Sequence, residues 1–247
     1  MTAVIFRPAA ALAACCLLVS LGAARAQQQQ DFGFGSAKRT AGALIGILYD
    51  WKQDQKRNKI EMRKEDFEHG VAQWVNNGWN EEEINKFYRV PRALYTTQLM
   101  IPTINADIAP RAFGVERTVQ PQKWMVHYKG QVAAPEDGTY RFVGNSDDFV
   151  VVAVNGKTVL CAEMPGTPMG INWHPTESPP GDWQAVGDWI PFRAGEPVDL
   201  DIVTGESPGG QFRCKLAIQK KGGPIVPFQL SVSKDTPVGA RPWRGIP

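Results

Sequence analysis

Two hydrophobic periods share this chain, and the boundary between them organises it. From Gln122 onward, apolar residues recur at alternate positions or in short β-branched runs, separated by turn residues. Residues 124–128, 139–143, 149–154, 157–161, 198–203 and 211–220 read as strands. In the last of these, Phe212, Cys214, Leu216 and Ile218 alternate with Arg213, Lys215, Ala217 and Gln219, so one face is buried. Pro135-Glu136-Asp137-Gly138 is a turn by composition, and Asn155-Gly156 is the strongest two-residue hairpin signal. Upstream, residues 41–50 form an apolar run that suits a buried strand, although its period alone does not exclude a helix.

Between these strands the period changes. Phe67, Val71, Trp74 and Val75 fall at helical spacing among charges. Gly78 stands where a helix stops, and Asn80 with Glu83 makes a capping-box-like restart. Ile84, Phe87 and Tyr88 supply the apolar face of a second short helix. The expected architecture is mainly β: an antiparallel sandwich with a short helical hairpin inserted at about residues 60–92. The sandwich spans 41–232 and a tail follows over 233–247. Residues 164–187 form a long connection with five prolines, bearing Trp173 and Trp183, with Trp189 just beyond. Loops of this length are commonly functional or mobile.

The N-terminus alters the charge reading. A basic start to Arg7, an apolar run over 9–22 and Ala24-Arg25-Ala26 make a secretory signal pattern over residues 1–26. The alternative is lipoprotein processing at Cys15, which falls inside the apolar run rather than at its end. A polar leader, 27–40, follows, its glycine-rich part to Gly35 reading as disordered. The chain has 27 basic and 25 acidic residues; removing 1–26 takes away Arg7 and Arg25 and no acid, leaving 25 of each. No basic field remains to attract nucleic acid or an anionic membrane, and no other run is apolar enough to span a bilayer. The expected location is exported: periplasmic, cell-surface or secreted. Cys161 and Cys214 remain after processing; an exported chain allows them one disulfide, and the alternative is two buried thiols.

Enzyme signatures are missing. There is no Gly-x-Ser-x-Gly, no His-Glu-x-x-His, and no phosphate or dinucleotide glycine loop. His69, His127 and His174 are scattered without metal spacing. A non-catalytic binding module is the expectation.

Three segments resemble one family. Gly42-Ala43-Leu44-Ile45-Gly46-Ile47-Leu48-Tyr49-Asp50 is similar to its opening strand. Residues 126–142, with Gly138-Thr139-Tyr140, then Ser146-Asp147-Asp148 and Val154-Asn155-Gly156, are similar to its centre. Residues 197–218 with Gly209-Gly210 are similar to its close. The family is the PA-14 β-sandwich module, named after the N-terminal fragment of anthrax protective antigen and found in yeast flocculins and bacterial glycosidases. The helical hairpin is a departure, as is Phe149, where a glycine often follows the acidic pair.

The resemblance implies carbohydrate recognition. In lectin members an acidic pair in this place binds calcium, which binds sugar hydroxyls, and the peptide between the acids is cis. Asp147 and Asp148 match that pair, and two adjacent carboxylates suit an ion that takes six to eight oxygens. The alternative is that both aspartates cap turns through backbone amides. Trp173, Trp183 and Trp189 could stack on sugars or cover the core beneath their own loop. The expected function is an exported lectin-like module with a glycan or envelope polysaccharide as partner. The alternative is an envelope assembly protein, with Trp74, Trp79, Phe87 and Tyr88 of the insertion as an aromatic partner surface.

Overall fold

The computed structural model describes residues 33–166 and 168–230. The expected signal peptide over residues 1–26, residues 27–32 of the expected leader and the expected C-terminal tail lie outside the described residues. The rest is a two-sheet antiparallel sandwich, as expected. One sheet contains β1 (Leu44–Asp54), β2 (Phe87–Arg89), β3 (Leu94–Thr96), β5 (Trp124–Val132), β7 (Phe149–Val154), β8 (Lys157–Glu163) and β11 (Val198–Glu206). Its order is β2-β1-β5-β11-β7-β8, with β3 also on β1. The second contains β4 (Met100–Asn105), β6 (Gly138–Asp147), β9 (Ala185–Val186), β10 (Ile190–Phe192), β12 (Gln211–Lys220) and β13 (Ile225–Pro227). Its spine is the long β6–β12 pair.

The first sheet is buried on both faces. Leu44 and Leu48, Trp124, Val126 and Tyr128, Val150 and Val152, and Leu200 and Ile202 point between the sheets. The alternate residues Ile45, Ile47, Tyr49 and Trp51, Met125, Phe149 and Val151, and Val203 point outward into a second cluster. Double burial explains why these strands carry near-continuous apolar runs rather than strict alternation. The Asn155-Gly156 hairpin forms as expected, with φ of 50° and 78° in the left-handed region and Val154 paired to Lys157.

The insertion covers the outward cluster. Its main helix, α1 (Lys64–Asn76), buries Phe67, Val71, Trp74 and Val75 against the sheet. Gly78, with φ 85°, ends it, and the Asn80 side chain accepts the amide of Glu82 to start α2 (Glu81–Ile84). The second helix is shorter than expected. Phe87 and Tyr88 leave it for β2, where pairing with β1 satisfies the backbone and Phe87 stacks on Trp51 at 4.0 Å. Trp74, Trp79, Phe87 and Tyr88 are all buried. The aromatic surface that motivated the assembly alternative is therefore interior. A third helix, α3 (Ile108–Ala112), arises in the 106–123 connection between β4 and β5, where the sequence signalled no element.

One further expectation is corrected, and of the two alternatives for the cysteines the structure has the buried thiols. The leader reads as disordered through Gly35, yet Phe34 is fully buried. It stacks on Phe212 at 5.5 Å, meets Trp124 edge-on, and its carbonyl accepts the Tyr128 hydroxyl at 2.8 Å. Cys161 and Cys214 are free buried thiols, not a disulfide. Cys161 faces the outward cluster from β8, and Cys214 faces the inter-sheet core from β12, so the first sheet separates them. Without reductant, peptides bearing Cys161 and Cys214 will be alkylated only after denaturation. Mass spectrometry checks this; failure to label unfolded protein until a reductant is added would reveal a disulfide.

Candidate functional site

The acidic pair sits where the chain changes sheets. Asp147 ends β6 in the second sheet, Phe149 begins β7 in the first, and Asp148 makes the crossing at one end of the sandwich. The peptide between the aspartates is cis. Beside it the chain crosses back: β11 ends at Glu206, and Ser207-Pro208-Gly209-Gly210 leads into β12. Phe149 pairs with Gly205, and Asp147 with Arg213, so the two crossings are held side by side. Gly209 and Gly210 have φ of 90° and 110°, conformations open chiefly to glycine, and they allow the sharp return.

These crossings gather carboxylates. Asp148 Oδ2 accepts the backbone amide of Ser207 at 2.6 Å. Glu206 Oε1 accepts that of Gly209 at 2.9 Å, while Glu206 Oε2 is buried without a hydrogen-bond partner. The insertion adds a fourth acid: Ser207 Oγ donates to Glu68 Oε1 at 2.9 Å, and Lys64 lies 3.6 Å from the same oxygen. Burial, with the neighbouring Asp148 charge second, pushes Glu206 up to about 9. Burial likewise raises Asp148 to about 6, the Ser207 amide opposing and Asp147 and Glu68 adding. Removed from water, the cluster holds more negative charge than Lys64 offsets, and it responds by retaining protons.

Phe149 and the insertion explain one another. The Phe149 ring points outward and meets Phe67 of α1 at 6.3 Å. Its register partner, Gly205, makes room: a Cβ there would lie 2.6 Å from both the Phe149 ring and the Trp124 carbonyl. The two departures from the family pattern are thus one packing arrangement, which also brings Glu68 to the acidic pair.

The three loop tryptophans make separate contacts, two of them over neighbouring outward positions of β6, Arg141 and Val143. Trp173 packs partly against both main clusters, and its indole N–H donates to Asp188 at 3.3 Å. Trp189 lies beneath the Arg141 guanidinium, 4.3 Å from the ring centre, and donates to Glu177 at 3.4 Å. Trp183 packs on Val143, Val186 and Ala217, on the outer face of the second sheet. Its neighbour Gln184 exchanges hydrogen bonds with the backbone of Ser146, next to Asp147, at 2.6 and 2.8 Å.

Sequence reasoning found Asp147 and Asp148 but not Glu206, Ser207 or Glu68. Gly205-Glu206-Ser207-Pro208 looks like any strand end before a turn, and Glu68 is one of several acids on a helix. No local signal marks them, since only the two crossings and the insertion bring them together.

Comparison with known proteins bears out the family resemblance. The PA14 domain model matches residues 87–170, a span that contains Asp147, Asp148 and the Asn155-Gly156 hairpin. No curated protein matches the chain. Similar solved structures include a PA14 sugar-binding domain from an RTX adhesin, 14% identical, with 78% of this chain and 100% of that one covered at a TM-score of 0.47. The PA14 domain of the MpAFP antifreeze protein is 13% identical, covering 82% and 93% at 0.49. The Epithelial Adhesin 9 A domain from Candida glabrata, in complex with Galb1-3GlcNAc, is 12% identical, covering 83% and 97% at 0.46.

Proposed function

We propose that this PA14-type sandwich is an exported glycan-binding module, not an enzyme, and that calcium assists it at Asp147 and Asp148. The observation that carries the reading is the gathering of Asp147, Asp148, Glu206 and Glu68 at the sheet crossing, with Glu206 Oε2 buried and unpartnered. Such a cluster favours a cation, and hard oxygens suit calcium. Among the described residues, no three His, Cys, Asp or Glu side chains are placed to hold a metal by themselves. Calcium here would take the Asp147 and Asp148 carboxylates and complete its shell from main-chain carbonyls and sugar hydroxyls. The Ser207 amide fixes Asp148, and Gly209 fixes Glu206, so the chain presents these acids in one arrangement before ligand arrives. Export is supported by the signal pattern of residues 1–26; no helix among the described residues is long and apolar enough to cross a membrane.

A glycan array probed with and without calcium tests the reading. Binding is expected with calcium, and loss with chelator. The double substitution Asp147→Asn and Asp148→Asn should weaken it at least about tenfold, which corresponds to about 1.4 kcal/mol. Folded protein that binds no glycan in either condition overturns the function. Binding that survives chelation and the double substitution overturns the calcium role alone.

A further inference from the structure

The outer face of the second sheet carries a recess that the acidic pair does not use. Alternation along β6 sends Tyr140 and Phe142 into the core and Arg141, Val143, Asn145 and Asp147 outward. Their partners on β12 are Gln219, Ala217, Lys215 and Arg213. The segment before β9 lies over part of this face. Between it and the sheet is an open recess of about 430 Å³, lined by Asn145, Asp182, Trp183, Lys215 and Ile225. That volume is within the range of small-ligand sites.

Several groups in and beside the recess have no partner within the protein. Asn145 Nδ2 donates to the Asp182 carbonyl at 2.5 Å, but its Oδ1 is buried with nothing donating to it. Leaving a buried acceptor unsatisfied is costly. Lys215 makes no ion pair among the described residues. Arg213, the next outward residue on β12, has its Nε buried and unpartnered. Trp183 and Lys215 line the recess and are the groups it offers to a ligand. An indole surface suits a pyranose ring, and a carboxylate suits Lys215.

We infer that this recess binds an acidic sugar unit, a hexuronate, packed on Trp183 with its carboxylate on Lys215. The inference rests on the glycan-binding reading and adds a ligand class to it. Asn145 and Asp147 are one two-residue step apart on β6, about 6.6 Å, a reach that adjacent units of one oligosaccharide cover. Recess and acidic pair then form one track, with Arg213 continuing the cationic line opposite Asp147.

Affinities for a hyaluronan tetrasaccharide, an oligogalacturonate and an oligomannuronate, each free and methyl-esterified, test it in the presence of calcium. The unmodified protein should bind at least one free acid about tenfold more tightly than its ester. Lys215→Gln should abolish that difference while retaining binding to the ester. Trp183→Ala should weaken both forms, with circular dichroism confirming its fold, and Lys215→Gln keeps the test open if that variant does not fold. An acid-to-ester ratio near one in the unmodified protein, or an unchanged ratio in Lys215→Gln, overturns the inference. If glycan binding depends on Asp147 and Asp148 while the ratio ignores Lys215, the recess fails and the acidic-pair reading stands. Absence of any glycan binding overturns both.

Discussion

Replacing Trp74 by alanine will destabilise the whole domain by about 3–5 kcal/mol, the range found for deleting large buried aromatics. A helix inserted into a sandwich would ordinarily be expected to tolerate such a change. Here the insertion is a third layer. Trp74 is 1% exposed, and its indole N–H donates to the Asn80 carbonyl at 3.1 Å. Its ring meets Trp79 and His127, each at 5.0 Å. Removing it opens a cavity directly over β5, strips contacts from the apolar residues of that sheet face and uncovers the buried His127–Asp201 pair. The effect should appear as one cooperative transition moved down by on the order of 10 °C, because helix and sheet share a core. Thermal and urea unfolding measure it. A loss below about 1 kcal/mol, or a separate early transition for the helix, would falsify the three-layer account. The same burial turns the insertion from a partner surface into structure. Val226 is the exposed large hydrophobic residue among those described, and a single one forms no patch.

What could be read from the sequence followed the distance over which each signal acts. The strands after Gln122 were legible because alternation and the Asn155-Gly156 turn are local properties. So were the α1 stop at Gly78 and the restart at Asn80. Phe87 and Tyr88 misled because aromatic residues at helical spacing fit a strand equally well, and the edge of β1 decides between the two. Phe34 misled because its neighbours are polar and glycine-rich, while its burial depends on Phe212, far along the chain. The cysteines carried only a redox argument, and sheet geometry separated them. Of the site, the acidic pair was visible as two adjacent letters. Its companions were not, since a carboxylate cluster built across two sheet crossings and an inserted helix has no sequence spacing at all.

In chelator, the protein will lose stability as pH rises from 5 to 8, by up to about 4 kcal/mol, and Glu206→Gln will remove most of that slope. The folded state holds the Glu206 proton up to about pH 9 because its carboxyl is buried beside Asp148. An unfolded glutamate releases its proton near pH 4.3. Between those limits the folded chain binds more protons than the unfolded one, so raising the pH favours unfolding, at no more than about 1.4 kcal/mol per pH unit for one group. Asp148, raised to about 6, acts in the same direction over the lower part of the window. The contribution is complete below the unfolded value and lost as pH climbs toward the folded one. Glutamine keeps the acceptor for the Gly209 amide and carries no charge, so it isolates the ionisation from the hydrogen bond. Urea unfolding of both proteins at pH 5, 6.5 and 8 measures the difference. A slope equal in the two proteins, or stability that rises with pH in the unmodified one, contradicts the proton-holding cluster. Calcium added at pH 8 should restore part of the lost stability, since a cation bound to the folded state relieves the same repulsion that the proton relieves in its absence.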